Sequence, residues 1–126
     1  MIKKIHHVGL AVHNADVMVK LLEEVFGAKQ IPNYTLETKE FLSRMVQVGE
    51  NAFELLEPRG KNGLIERFLN NRGEGIHHVS LEVDNLDELL KICEAKGITV
   101  MDRRFIHPKS THGVLIELVE PTQRPS

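Results

Sequence analysis

Residues 5–12 read IHHVGLAV and residues 76–83 read IHHVSLEV, so six of eight positions are identical in two segments 71 residues apart, as from His7 to His78. A second pair of matching segments, FELLEP and IELVEP, follows in the same order at residues 53–58 and 116–121. Two ordered matches indicate two copies of one unit. Because a solenoid generally needs three or more repeats, we expect the copies to form a single domain over residues 1–126.

Each copy shows the order strand, helix, several strands. The alternating apolar residues of 5–12 predict a strand, the segment Asn14-Ala15-Asp16 offers cap candidates for the start of the following helix, and Gly27 predicts its end. Asn85 and Gly97 predict the same limits in the second copy. The apolar residues of the first predicted helix follow the spacing of one helical face: Val17, Leu21, Leu22, Val25 and Phe26. The sequence therefore predicts an α+β fold with its helices on one side of a sheet.

The predicted boundaries are module one over 4–60, a connecting helix over 63–72 and module two over 75–121. The first and second pairs of matching segments are 71 and 63 residues apart, so the second module is about eight residues shorter between its landmarks.

Composition excludes several classes of function. Hydrophobic residues make up 41% and charged residues 27% of the 126 residues, which is typical of a globular protein. The net charge of −2 and the lack of a basic run longer than two residues argue against a nucleic-acid partner. A single cysteine excludes an intramolecular disulfide, and no apolar run approaches the ~18 residues of a membrane span. We expect a cytoplasmic protein with no nucleic-acid or membrane partner.

The paired histidines of each copy face opposite sides of their strand, because strand side chains alternate. His7 shares its face with Gly9 and Ala11, and His78 shares its face with Ser80. These faces carry smaller or more polar side chains than the opposite faces do. We therefore expect His7 and His78 to line a cavity.

Two glutamates occupy the middle of apolar strands. Glu54 lies between Phe and Leu, and Glu117 lies between Ile and Leu. A carboxylate in such a place is costly unless it is paired or bound to a cation. The alternatives are that each glutamate faces solvent at a sheet edge or pairs with Arg44 or Arg104.

Each copy contains one such histidine and one such glutamate at matching positions, which argues against a chance arrangement. Two imidazoles and two carboxylates suit a divalent metal ion such as Co, Mn, Ni or Zn, and the set does not select among these metals. The four candidate metal ligands are His7, Glu54, His78 and Glu117.

The chain resembles the vicinal oxygen chelate superfamily, also called the glyoxalase/bleomycin-resistance/dioxygenase superfamily. Its members pair βαβββ modules into a cupped mixed sheet around a metal site, with the helices on the outer face. Residues 7–12, 54–58, 68–78 and 107–120 are similar to the methylmalonyl-CoA epimerase family, and the last two segments are the specific ones. The resemblance places the metal ligands of that family on the same four residues.

The resemblance implies an isomerase that interconverts (2R)- and (2S)-methylmalonyl-CoA by removing the C2 proton, with a divalent metal stabilising the enolate. Inversion requires acid/base groups on opposite faces of the substrate. Glu117 is one candidate, and the loop carboxylates Glu37 and Glu40 are candidates for the other, of which we select Glu40. Lys109 and Ser110 are candidate contacts of the acyl-CoA substrate, with a solvated surface turn as the alternative. A homodimer is expected from the family.

Two other functions compete with this interpretation. A glyoxalase I-like lactoylglutathione lyase uses a similar ligand set and similar metal chemistry. A non-catalytic small-molecule-binding protein of the same superfamily is the second alternative. The segments 68–78 and 107–120 favour the epimerase, and the intact ligand set argues against the non-catalytic protein. The resemblance also implies that the shortening of module two lies in the segment 97–106, because relatives carry more residues between the helix of the second copy and residue 107, including a Gly-rich turn. This shortened segment could alter the site.

Overall fold

The computed structural model describes residues 1–121, which fold into eight β-strands, three α-helices and one short 3-10 helix. The strands are β1 (Ile2–Ala11), β2 (Lys29–Glu37), β3 (Phe41–Val48), β4 (Asn51–Pro58), β5 (Gly75–Val83), β6 (Val100–Met101), β7 (Phe105–Ile106) and β8 (Ile116–Val119). The helices are α1 (Ala15–Phe26), α2 (Leu64–Arg72) and α3 (Leu86–Ala95), and the 3-10 helix is Pro108–Ser110. The predicted α+β fold class is confirmed.

The chain divides into two compact units. The central unit is Val8–His77, and the terminal unit combines Met1–His7 with the described part of His78–Ser126. Strand β1 contributes its first six residues to the terminal unit and its last four to the central unit. The predicted module boundaries stay predictions.

In the central unit the strands follow the order β2-β3-β4-β1. Strand β1 runs parallel to β4, which places Gly9 opposite Glu54. The side chain of Asn14 caps α1 by accepting a hydrogen bond from the backbone N–H of Val17 at 3.1 Å. The helix ends at Gly27, whose φ of 71° lies in the left-handed region that favours glycine. Both predicted limits of this helix are confirmed.

The apolar residues of α1 are arranged differently from the predicted set. The buried face consists of Ala15, Val19 and Leu22, which pack with Val46 and Leu55. Four residues of the predicted set are between 46% and 71% exposed: Val17, Leu21, Val25 and Phe26. The intervals of four and three residues from Ala15 to Leu22 define one helical face, so only Leu22 belongs to both sets.

In the terminal unit the first part of β1 is followed by the order β5-β8-β7-β6. Strand β5 runs parallel to β8 with Ser80 opposite Glu117, and β7 runs antiparallel to β8 with Phe105 opposite Glu117. The side chain of Asn85 accepts from the N–H of Glu88 at 3.1 Å and caps α3, as predicted. The core of this unit is formed by Val83, Leu86 and Leu118.

The segment 97–106, where the shortening of the second copy is expected, contains the tight hairpin β6–β7. Its turn is formed by residues 102–104, of which Asp102 and Arg103 are left-handed at φ 51° and φ 57°. Such a turn ordinarily selects Asn-Gly, because residues with a larger side chain adopt positive φ only at an energetic cost. Within residues 1–121, no helix has the length and apolarity to cross a membrane.

Candidate metal centre

His7 and His78 lie side by side within the terminal unit. Their Nε2 atoms are 3.1 Å apart, and the two rings meet edge to face with centroids 5.2 Å apart. The side chain of His7 is fully buried, and that of His78 is 3% exposed. Both histidines therefore present the same ring nitrogen to one point that is shielded from water, as their place in the repeat predicted.

Glu117 brings a carboxylate to the same point from β8. Its Oε1 atom lies 3.3 Å from Nε2 of His7 and 3.7 Å from Nε2 of His78, and its side chain is fully buried. A tetrahedral ion with ligand atoms about 2.1 Å away keeps those atoms about 3.4 Å from one another. The observed separations match this spacing. The residues present therefore fit a divalent metal ion, as a buried group of two imidazoles and a carboxylate.

The second oxygen of Glu117 contacts a cationic side chain. Nη2 of Arg104 donates to Oε2 of Glu117 at 2.9 Å. The alternative that Glu117 pairs with Arg104 is thus confirmed, and it coexists with the approach of Glu117 to the histidines. Arg44, the other arginine considered as a partner, contacts Asp16 and Gln30.

Glu54 is a fully buried carboxylate of the central unit. Its Oε2 atom accepts a hydrogen bond from the hydroxyl of Ser43 at 2.6 Å, and Ser43 is only 1% exposed. The sequence analysis missed Ser43, which the β3–β4 register places opposite Leu56. The prediction that Glu54 is a metal ligand stays a prediction.

His6 contacts the ring of His7 on the side away from His78. The two Nδ1 atoms are 2.9 Å apart. Burial lowers the pKa of His6, and the neighbouring His7 lowers this pKa further. A hydrogen bond at Nδ1 fixes which tautomer leaves Nε2 free to bind a metal. The alternation of the strand gave no signal of this contact, because it predicts opposite faces for neighbouring residues.

Glu40 lies in the turn between β2 and β3, where it is exposed. Its backbone N–H donates to the hydroxyl of Thr38 at 3.1 Å, and its carbonyl accepts from the N–H of Arg59 at 2.9 Å. Glu37, the other loop carboxylate, pairs with Nε of Arg59 at 3.5 Å. The catalytic role of Glu40 stays a prediction.

The predicted acyl-CoA contacts lie on the 3-10 helix. Lys109 is exposed, and its backbone N–H donates to Nδ1 of His107 at 3.0 Å. The hydroxyl of Ser110 accepts from the N–H of Thr99 at 3.1 Å, so Ser110 holds the preceding loop. Substrate binding by these two residues stays a prediction.

Ser80 is a buried polar residue that the sequence analysis placed on the face of His78 without giving it a role. It is 0% exposed, and within residues 1–121 its hydroxyl has no hydrogen-bond partner. It lies opposite Glu117 in the β5–β8 register. The only sign of this buried hydroxyl in the sequence was a small polar side chain on the same strand face as His78.

Comparisons with known proteins agree with the fold. The family model described as the Glyoxalase/Bleomycin resistance protein/Dioxygenase superfamily matches residues 6–114. The mitochondrial methylmalonyl-CoA epimerase of Dictyostelium discoideum is 34% identical over 131 residues, which cover 94% of this chain and 79% of that protein.

Two solved structures of methylmalonyl-CoA epimerases are similar over almost the whole chain. The enzyme from Mycobacterium tuberculosis is 28% identical with a TM-score of 0.86, covering 97% of this chain and 90% of that one. An epimerase in complex with methylmalonyl-CoA and NH4+ is 25% identical with a TM-score of 0.88, covering 100% and 99%. The activity of these relatives is that of an isomerase. The chain belongs to the glyoxalase/bleomycin resistance protein/dioxygenase superfamily, in the family of the methylmalonyl-CoA epimerases.

Proposed function

We propose that this protein is a metal-dependent epimerase that interconverts (2R)- and (2S)-methylmalonyl-CoA. The observation that supports the proposal is the buried convergence of His7, His78 and Glu117 in a chain whose relatives are methylmalonyl-CoA epimerases. One of the similar structures is a complex with methylmalonyl-CoA itself.

The proposed ligands of the metal are the three residues of this group together with Glu54. The carboxylate of Glu54 is fully buried and accepts a hydrogen bond from Ser43, which restricts its orientation. Metal-binding carboxylates are commonly oriented by such hydrogen bonds. When bound, a divalent ion (Co, Mn, Ni or Zn) would act as a Lewis acid that stabilises the negative charge of an enolate.

The chain itself must provide the groups that move the proton. Inversion at C2 requires that a proton leave one face of the substrate and return to the other. By similarity to the family, Glu40 and Glu117 are the candidate carboxylates for these steps, and Glu117 could act in this way only by leaving the metal. The exposed ammonium group of Lys109 offers a positive charge to an acyl-CoA, while Ser110 holds the loop beside it.

We also propose that the protein is a homodimer, on the basis of the family resemblance, and that it lies in the cytoplasm, as its composition led us to expect. Sedimentation equilibrium of the purified protein tests the first part, and fractionation of the source cells tests the second. A monomeric mass, or recovery in another compartment, would contradict the respective part.

The reaction is tested by incubating Co²⁺-loaded protein with methylmalonyl-CoA in D₂O and following deuterium at C2 by NMR. A parallel assay with methylglyoxal and glutathione measures lyase activity. We expect deuteration without lyase turnover. Lyase turnover alone would favour the glyoxalase I-like alternative, and inactivity in both assays would favour the non-catalytic binding protein.

Neighbouring histidines on β5 provide a matched control. His78 belongs to the donor group, whereas His77 packs edge-on against Phe68 with ring centroids 5.0 Å apart. We expect His78→Ala to abolish deuteration and His77→Ala to retain it. Equal activities of the two variants would contradict the assignment of the site.

A further inference from the structure

Arg104 distinguishes between the two roles proposed for Glu117. As a metal ligand Glu117 stays at the ion, whereas as a proton carrier it must leave the ion and reach C2 of the substrate. We infer that Arg104 is a positioning residue that holds Glu117 as a permanent metal ligand, so that the proton is carried by other groups. This inference rests on the proposed function, because it assumes the metal site.

The two oxygens of Glu117 have separate contacts. Oε1 faces the histidines at 3.3 Å and 3.7 Å, while Oε2 accepts a hydrogen bond from Arg104 at 2.9 Å. A rotation that carries Oε1 away from the histidines also carries Oε2 away from the guanidinium group. The ion pair with Arg104 therefore opposes the same motion that proton transfer by Glu117 would require.

The backbone of Arg104 is held on both sides. Its carbonyl accepts from the N–H of Leu118 at 2.6 Å, and its own N–H donates to the carbonyl of Met101 at 3.0 Å. The guanidinium carbon lies 5.6 Å from the ring centroid of Phe105, within the range of a cation–π contact. The tight hairpin β6–β7 thus presents this cation to Glu117 in a defined position.

Charge stabilises the ion pair between Arg104 and Glu117. The guanidinium group of arginine remains protonated in proteins, and its hydrogen bond to a carboxylate is stronger than a neutral one. The side chain of Glu117 is fully buried, and that of Arg104 is 32% exposed. Separating a pair that includes a buried carboxylate is costly, because little water is available to replace the lost contact. Glu117 therefore remains in place while the substrate reacts.

Arg103 offers a matched control in the same turn. Its Nη2 atom pairs with Oδ1 of Asp87 at 2.6 Å, and these side chains are 70% and 78% exposed. Arg103→Met thus removes the same chemical group and an ion pair of the same type, without a contact to the donor group. Arg104→Met removes the contact to Glu117 and keeps a long apolar side chain.

The test measures Co²⁺ affinity by chelator competition and the Co²⁺ absorption spectrum of each full-length variant. Loss of a residue that orients a metal ligand typically weakens metal binding by about 10–100-fold. We expect this loss and an altered spectrum for Arg104→Met, affinity within about twofold of wild type for Arg103→Met, and partial recovery for Arg104→Lys, which keeps the charge. Circular dichroism establishes whether each variant is folded. If Arg104→Met does not fold, Arg104→Lys is compared with wild type in its place.

Two results would overturn the inference. One is an Arg104→Met variant with the affinity and spectrum of wild type. The other is faster C2 deuteration by Arg104→Met than by wild type at saturating Co²⁺, since releasing a restrained proton carrier would speed the exchange. Wild-type protein that binds Co²⁺ without deuterating methylmalonyl-CoA would instead overturn the proposed epimerase and leave the role of Arg104 intact. Wild-type protein that binds no metal would overturn both.

Discussion

The hydrogen bond between Ser43 and Glu54 allows a quantitative test of the buried polar groups. Its length is 2.6 Å, and the two residues are 1% and 0% exposed. A hydrogen bond to a charged group contributes about 1.5–3 kcal/mol to stability, against about 1 kcal/mol for a neutral pair. For an ionised Glu54 we therefore expect Ser43→Ala to lower the free energy of unfolding of the metal-free protein by about 2 kcal/mol.

The assay is urea unfolding followed by circular dichroism in the presence of a chelator, for Ser43→Ala, Glu54→Gln and the double variant. Because glutamine accepts only a neutral hydrogen bond, Ser43→Ala should cost about 1 kcal/mol in the Glu54→Gln background. Ser110→Ala is the control for loss of a hydroxyl, since Ser110 accepts from a backbone N–H at 3.1 Å. A cost below about 0.5 kcal/mol for Ser43→Ala, or the same cost in both backgrounds, would refute the assignment of a charged, buried pair.

Three further predictions concern single residues. His78→Ala should lose stoichiometric Co²⁺ in equilibrium dialysis while its far-ultraviolet circular dichroism spectrum is unchanged, and full metal retention would contradict the ligand assignment. Gly27→Ala should lower the free energy of unfolding by about 1 kcal/mol. The cost comes from backbone strain at a φ of 71°, because a Cβ atom there meets nothing within 4 Å. A variant as stable as wild type in urea would contradict this prediction. Ser80→Ala should leave the metal-free protein as stable as wild type or more stable by up to about 1 kcal/mol, since the hydroxyl has no partner within the described chain, and a loss of stability on heating would point to a hydrogen bond at Ser80.

The sequence predicted the fold and the histidines well because both depend on local patterns. Alternation within a strand places His7 and His78 on the smaller, more polar face, and the repeat doubles the signal. The identity of a partner is a different problem, since it depends on the register between neighbouring strands. The contact from Ser43 to Glu54 is set by such a register, and no local pattern indicates it.

The contact of Arg104 with Glu117 was predicted only as one of two alternatives. A carboxylate in an apolar strand needs either a metal or a cationic partner, and these were considered as alternatives. The structure shows Arg104 at one oxygen of Glu117 and the histidines near the other, because a carboxylate has two oxygens that can face different groups. On α1 the error was of another kind: several apolar residues suggested one helical stripe, and the buried face consists largely of smaller residues.

The division of strand β1 between the two units has a consequence for dissecting the molecule. A cut between residues 74 and 75 separates the two sequence copies, yet it leaves Met1–His7 on the fragment that lacks the rest of the terminal unit. Neither fragment then contains all of His7, His78 and Glu117. Separate expression of the repeats would yield two pieces without a complete donor group, and metal binding would return only on recombining them, as in fragment complementation.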